Sequence, residues 1–420
     1  MSQGAPRRLA DDCFALPRGV DWTPVDVALD RLRTGLACVC PAEDVPLAAA
    51  AGRVLAAPAC ALRDNPPAAN AAVDGYAFAF AEGAEGRDLA LHPGRAAAGH
   101  PWAGALPEGA ALRILTGAEI PAGADTVVLD EDCTTAEGRV RFPQPRRRGA
   151  NIRKRGEDAA TGDVVLAPGR RLGPGEIARA AVVGIHTLSL RRRLRVGLLS
   201  TGDELLQPGA DPQAPGIFDA NRPMLSAFVS AQGHLAVDLG AVPDSAAAVR
   251  AALDRGAAEA DAVLTTGGAS TGDEDHVSRL LREEGRIETW RIAIKPGRPL
   301  ALGLWKDIPV FGLPGNPVAA FVCALIFARP AFRVLAGQAW AHPQGFDVPA
   351  AFEKRKKPGR REYLRARLDA RGRAEVFRSE GSGLVGGLSW SDGLVELPDA
   401  AQEIAPGDPV RYLPYTSFGL

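Results

Sequence analysis

The sequence predicts a multi-domain α/β protein organised around a doubly wound parallel sheet at residues 191–332. Three observations carry that expectation. Five short apolar runs, at 194–199, 234–239, 262–265, 287–294 and 309–312, have the length and composition of buried strands. Helix-like segments separate several of them. One runs from Asn221 as cap to about Gln232, with Gly233 as its stop, and another follows Asp244 as cap through 245–258. Finally, each run ends in a loop rich in glycine, proline or acid. These loops are Ser200-Thr201-Gly202-Asp203-Glu204, Val242-Pro243-Asp244-Ser245, Gly267-Gly268-Ala269-Ser270, Lys295-Pro296-Gly297-Arg298 and Leu313-Pro314-Gly315-Asn316-Pro317.

In an open parallel sheet such loops emerge on one edge, where these folds bind ligands. Glycines at 202, 267, 268, 297 and 315 let backbone amides approach a ligand, and helix N-termini there favour anions. Acids beside Lys295 and Arg298 suit a phosphorylated ligand with a divalent cation between like charges. The same edge carries Ser270, Pro314 and Asn316 as candidate binding groups.

With 420 residues the chain has material for two to four domains. A net charge of −1 implies no bulk attraction to nucleic acid or to acidic membranes. The arginine runs at 146–148 and 191–193 read as solvated loops or strand ends. Six cysteines without paired spacing exclude a disulfide framework and fit a reducing, cytoplasmic setting. Cys38-Val39-Cys40 has no answering Cys/His pair and reads as buried thiols at the end of a helix. The N-terminus lacks a signal-peptide core. The longest apolar run, 318–328, is too short to span a bilayer and reads as a buried helix, so no membrane association is expected.

Thr23-Pro24 opens a helix with Val27, Leu29, Leu32 and Leu36 down one face, ending near Pro41. Prolines at 66 and 67 exclude helix, and Asp74-Gly75 is a turn signal. The expected division is a discontinuous linking and dimerisation domain at 23–60 and 151–190, and a small β domain at 61–150. The α/β domain at 191–332 and a C-terminal β-barrel at 345–420 complete it.

An ordered set of motifs points to a family. Asp74-Gly75-Tyr76-Ala77, Thr116-Gly117-Ala118, the stretch 151–158, residues 200–204, Gly267-Gly268, Lys295-Pro296-Gly297 and 313–317 follow one another at familiar spacing. Together they resemble the molybdopterin molybdenumtransferases, the MoeA family that includes the enzymatic domain of gephyrin. The resemblance covers residue 20 to the end. It implies the last step of molybdenum cofactor synthesis, in which adenylylated molybdopterin and molybdate bind together. The phosphoanhydride is cleaved with a divalent cation, usually Mg2+, and molybdenum enters the dithiolene as AMP leaves.

The resemblance also implies a homodimer, with each site shared between the α/β domain of one subunit and the small β domain of the other. Partners implied are the preceding adenylyltransferase and apo-molybdoenzymes. Matched residue by residue, Glu204, Asp244 and Asp275 fall where the family keeps acids near phosphate and metal. Lys295, Arg291 and Arg298 can neutralise phosphate or molybdate. Asp74 and Thr116 fall where the other subunit contributes, and Arg360 and Ser382 come from the C-terminal domain. The chain departs from the family pattern at Ala69-Asn70-Ala71-Ala72-Val73, at His276, and at Gly386-Gly387.

Other readings compete. Gly268-Ala269-Ser270-Thr271-Gly272 matches a nucleophile elbow, but only His276 and His342 follow it as bases. A catalytically silent scaffold is opposed by the intact acids and Lys295. The adenylyltransferase that makes the preceding intermediate resembles residues 194–330 only, leaving the other domains unused.

Overall fold

The computed structural model describes residues 22–82, 86–143, 147–267, 276–297 and 300–420. They fall into two compact units, Glu43–Leu190 and 22–42 together with Arg191–Leu420.

In the second of these, six strands form the central sheet: β1 (Arg195–Thr201), β2 (Leu235–Val242), β3 (Ala262–Thr266), β4 (Arg286–Trp290), β5 (Ala301–Trp305) and β6 (Ile308–Leu313). Their order is β2-β1-β3-β6-β5-β4. The first four are parallel, as expected. The wholly parallel sheet is corrected at one side, because β5 is antiparallel to both β6 and β4. Two reversals leave β4 running with the parallel set, so its carboxyl end still opens onto the same edge. The expected strand at 287–294 is two: β4 ends at Trp290, and Ile294–Lys295 joins a different sheet.

Alternate residues of β1, β3 and β6 enter opposite cores, so these three strands are buried on both faces. Val196, Leu198, Leu264, Phe311 and Leu313 face one core, shared with helices α1 (Val25–Gly35), α2 (Asn221–Ala231) and the long helix that starts at Pro317. Leu199, Val263 and Val310 face the other, under α3 (Ala246–Glu259) and α4 (His276–Glu283). The stretch 23–42, grouped on sequence with the linking segment, packs through Val25, Ala28 and Leu29 into the first core. Val27, expected on the buried face, is exposed.

The helix from Pro317 is continuous for 19 residues, to Leu335. It runs through Pro330 because residues Ala324–Ala328 widen into a π turn just before the proline. Such a turn relaxes the i→i−4 ladder where proline offers no N–H and its ring needs room. The helix is long and apolar enough to cross a bilayer, but most of it is buried in the protein.

The C-terminal strands form a sheet in the order Ile294–Lys295, Arg361–Leu368, Gly393–Leu397, Pro409–Pro414 and Phe346–Pro349, with Ala374–Val376 also pairing on Arg361–Leu368. The expectation for this region was a barrel; the hydrogen-bonded path has Ile294–Lys295 at one end and Phe346–Pro349 at the other. Unit Glu43–Leu190 has its own sheet over 75–143 and a separate core built by Leu55, Leu172 and Leu190.

The chain end is anchored. Phe418 is fully buried, and its carbonyl accepts from Gln232 Nε2 at 2.7 Å and Arg329 Nε at 3.0 Å. Replacing Phe418 by Ala should lower stability by about 3–5 kcal/mol, the usual cost of emptying a well-packed aromatic site. Urea unfolding measures it, and a loss below about 1 kcal/mol would show that the site collapses around the smaller residue.

Candidate functional site

The carboxyl ends of β1, β3 and β6 converge on a cleft of about 600 Å³. Buried Thr201 and Thr266 form its floor, with the Ser200 and Thr266 hydroxyls 3.1 Å apart. Gly267 turns the chain at φ +86°, and any side chain there would strike the Thr201 carbonyl. Only glycine meets both demands. Across the cleft, Asn221 Nδ2 donates to the Gly315 carbonyl at 2.6 Å, tying the start of α2 to the loop after β6. Among the described residues, Asn221 Oδ1 and Thr201 Oγ1 are buried without a hydrogen-bond partner, and both residues line the cleft. Such groups carry a desolvation cost that a bound ligand can relieve.

Part of the lining comes from the C-terminal region: Arg360, Glu380, Gly381 and Ser382. Here Lys295 is not alone. Its Nζ lies 2.6 Å from Glu380 and 3.5 Å from the buried Glu362, while Lys354 bonds Glu380 and lies 3.2 Å from Glu362. Burial works to raise the Glu380 pKa, but the bonds from Lys295 and Lys354 outweigh it and hold the carboxyl below its ordinary range. Burial likewise works to lower the Lys354 pKa, and Glu380 and Glu362 reverse it, so the ammonium is held above its usual range.

Metal capacity is limited. Among the described residues no group of three or more His, Cys, Asp or Glu is placed to hold an ion. Glu204 offers one exposed carboxylate at the cleft. Mg2+ typically takes one or two carboxylates plus substrate phosphates and keeps several waters, so Glu204 fits an ion that arrives with phosphate.

Comparison with known proteins places the chain. Residues 23–184 match the MoeA N-terminal region (domain I and II), 197–334 a probable molybdopterin binding domain, and 347–415 the MoeA C-terminal region (domain IV). A molybdopterin molybdenumtransferase of Haemophilus influenzae is 33% identical over 397 residues, covering 93% of this chain and 98% of its own. The chain belongs to the molybdopterin molybdenumtransferase family. It is an enzyme of the transferase class with a role in molybdenum cofactor biosynthesis. Molybdopterin molybdenumtransferase 2 of Mycobacterium tuberculosis is 32% identical over 88% of this chain and 94% of its own. The MoeA crystal structure from Pyrococcus horikoshii superposes with a TM-score of 0.82 at 27% identity, covering 94% of this chain and all of that one.

Of the residues singled out on sequence, the cleft gathers Glu204, Gly267, Lys295, Gly297, Pro314, Gly315, Asn316, Arg360 and Ser382. Gly268, Ser270, Asp275 and Arg298 lie outside the described residues, as does the whole 268–272 elbow. Gly202 sits beneath Glu204, whose carboxylate occupies the space a side chain would need. Asp244 and Arg291 do not line the cleft. The cap of α3 is Ser245, whose Oγ accepts from Ala248 N at 3.2 Å, so Asp244 is not the cap expected. Asp244 instead donates its N–H to Asp203 at 3.1 Å, and its carbonyl accepts from His276 Nε2 at 3.0 Å. Asn221 is not a cap either, since Asp219 accepts from the Asn221 and Arg222 amides.

In unit Glu43–Leu190, Asp74 and Thr116 form a pair. Asp74 Oδ1 accepts from the Thr116 hydroxyl at 2.6 Å and its N–H at 2.7 Å, and these two bonds hold the carboxyl pKa below its usual value.

Sequence reasoning missed Thr201, Asn221, Glu362 and Glu380. Asn221 had a signal, since a polar residue opening a helix after a glycine-rich loop can face a ligand as readily as cap. Glu380, beside Gly381-Ser382, had none, because its partners are 26 and 85 residues away. Replacing Glu380 by Gln should free Lys295 and Lys354 from one competing carboxylate. Inorganic phosphate should then bind roughly 3–10-fold more tightly at low salt, the scale of one partly screened charge. Calorimetric titration measures this, and weaker binding would mean that Glu380 orients the lysines for the anion.

Proposed function

We propose that this enzyme transfers molybdenum from molybdate into adenylylated molybdopterin, releasing AMP. The observation that best supports this reading is the cleft itself. It brings an acid, Glu204, into the lining of one cleft with Lys295, Arg360 and Ser382. A phosphoanhydride and a molybdate are both anionic and need separate cationic and amide contacts to lie side by side.

The chain's own groups divide the work. Lys295, Arg360 and Ser382 hold the oxyanion, and the amides at Gly267 and Gly315 line the space for the phosphates. Asn221 Oδ1 and Thr201 Oγ1 offer polar contacts deep in the cleft, which orient the pterin end. Glu204 would hold a Mg2+ ion that arrives with the substrate phosphates. Such an ion neutralises charge on the anhydride and its leaving phosphate.

The substrate assignment is tested by mixing protein, adenylylated molybdopterin, molybdate and Mg2+, then measuring AMP release and activation of an apo-molybdoenzyme. Both should appear together, and AMP release without activation would reduce the enzyme to a hydrolase. Replacing Glu204 by Gln should leave the fold unchanged and lower AMP release by roughly 100-fold or more. Near-normal turnover across a Mg2+ titration would remove Glu204 from the chemistry.

Family membership, with Asp74 and Thr116 placed on a separate unit from Glu204, supports a second element of the reading, a homodimer in which this pair completes the cleft of the other subunit. Asp74→Ala and Glu204→Gln homodimers should each be inactive. A mixed dimer, separately tagged, should recover up to about half of wild-type AMP release, since two-fold symmetry leaves one intact site. Activity no higher than in either parent, with dimerisation verified, would place both residues in one chain's site or outside it.

A further inference from the structure

The loop 379–384 carries Glu380, Gly381 and Ser382 into the cleft, yet it has no regular secondary structure of its own. What shapes it lies behind it. Arg365, on strand Arg361–Leu368, is only 4% exposed. Its Nη2 donates to the Ser379 carbonyl at 2.6 Å and the Gly381 carbonyl at 3.1 Å, and its Nη1 donates to the Leu384 carbonyl at 2.7 Å. The guanidinium also lies 4.8 Å from the centre of the Phe377 ring. Any side chain at Gly387 would run into Arg365 and Phe377. The far end of the loop is fixed too, because the Ser382 carbonyl accepts from Val318 N at 3.1 Å.

These bonds have a consequence for the cleft. In a trans peptide the carbonyl of one residue and the N–H of the next point in opposite directions. Holding the Ser379 and Gly381 carbonyls on Arg365 therefore turns the Glu380 and Ser382 N–H groups away from it. Neither N–H donates a hydrogen bond among the described residues. Two successive-but-one amides turned out of a loop form the kind of concave donor pair that binds an oxyanion.

We propose that Arg365 is the positioning residue for oxyanion binding, setting the Glu380 and Ser382 amides toward the cleft without touching substrate itself. This rests on the reading of the cleft as the molybdate site. Arginine is needed because three carbonyls around a plane require a rigid fork of donors, which a lysine ammonium cannot supply from a single nitrogen.

The test uses the full-length protein with sodium molybdate as the probe, titrated calorimetrically, together with hydrogen exchange of the peptides spanning 379–385 and the strands around them. Arg365→Lys should weaken molybdate binding by roughly tenfold, about the value of one oriented charge-assisted contact. Exchange should speed up in 379–385 and stay unchanged in Gly393–Leu397 and Pro409–Pro414. An affinity within about twofold of wild type, in a protein whose loop exchange has risen, overturns the proposal. So does an affinity loss accompanied by faster exchange through all these strands, which would make Arg365 a general structural residue. Lys295→Ala in the same titration separates the two levels. If it leaves molybdate affinity unchanged, the reading of the cleft fails; if it weakens binding while Arg365→Lys does not, only the positioning role fails.

Discussion

The cleft depends on one short backbone pairing. After β4 the chain leaves the central sheet at Arg291, which adopts φ +61°, and Ile294–Lys295 adds in parallel to Arg361–Leu368. Ile294 pairs with Arg361 and Lys295 with Glu362, and Arg361 N donates to the Ala293 carbonyl at 2.9 Å. The chain then returns to the central sheet as β5. This excursion seats the C-terminal sheet against the carboxyl edge of the α/β sheet. Together with the Val318 N–H on the Ser382 carbonyl and the shared core, it fixes Arg360, Glu380 and Ser382 relative to Glu204 and Gly267. A long β4 continuing to residue 294 would satisfy the same apolar pattern but leave the edge open on one side.

The pairing also explains the electrostatics. Bringing Lys295 beside Glu362 buries charge, and burial is tolerable only when each charge has partners. The two lysines and two glutamates meet that condition by alternating, so the cleft carries cationic groups that stay hydrated on one side and neutralised on the other. Arg365 follows a different course. It satisfies its donors with backbone carbonyls alone, which fixes a loop instead of cancelling a charge. The two arrangements share strand Arg361–Leu368, through Glu362 and, three positions on, Arg365, and both bear on the stretch 379–384.

Much of this was readable in the sequence where the physics is local. The runs at 194–199 and 262–265 are mostly apolar because both faces of those strands are buried, and the glycines after them mark loops that must turn tightly. What escaped depends on partners far along the chain. Hydropathy could not divide 287–294, because Ile292 and Ile294 are buried in the same core as the strands before them. Strand β5 was missed for a similar reason: a short apolar piece beside Pro299 reads as a loop until β6 pairs with it. Val27 was misassigned on α1, where Val25 and Ala28 are the buried positions. Asp244 looked like a cap because the residue after it, Ser245, was an equally good one and nothing in the pattern separates them. The family resemblance supplied Arg360 and Ser382, which composition alone would not have connected to residues 150 positions earlier.

The claim on which the account rests is that the cleft between the central edge loops and the C-terminal sheet is where the oxyanion binds. Anomalous diffraction at the molybdenum absorption edge, from crystals soaked in molybdate, locates the metal directly. The account predicts a peak within the cleft, bounded by Lys295, Arg360 and Ser382. A fully occupied peak elsewhere, with none in the cleft at the same concentration, would contradict it.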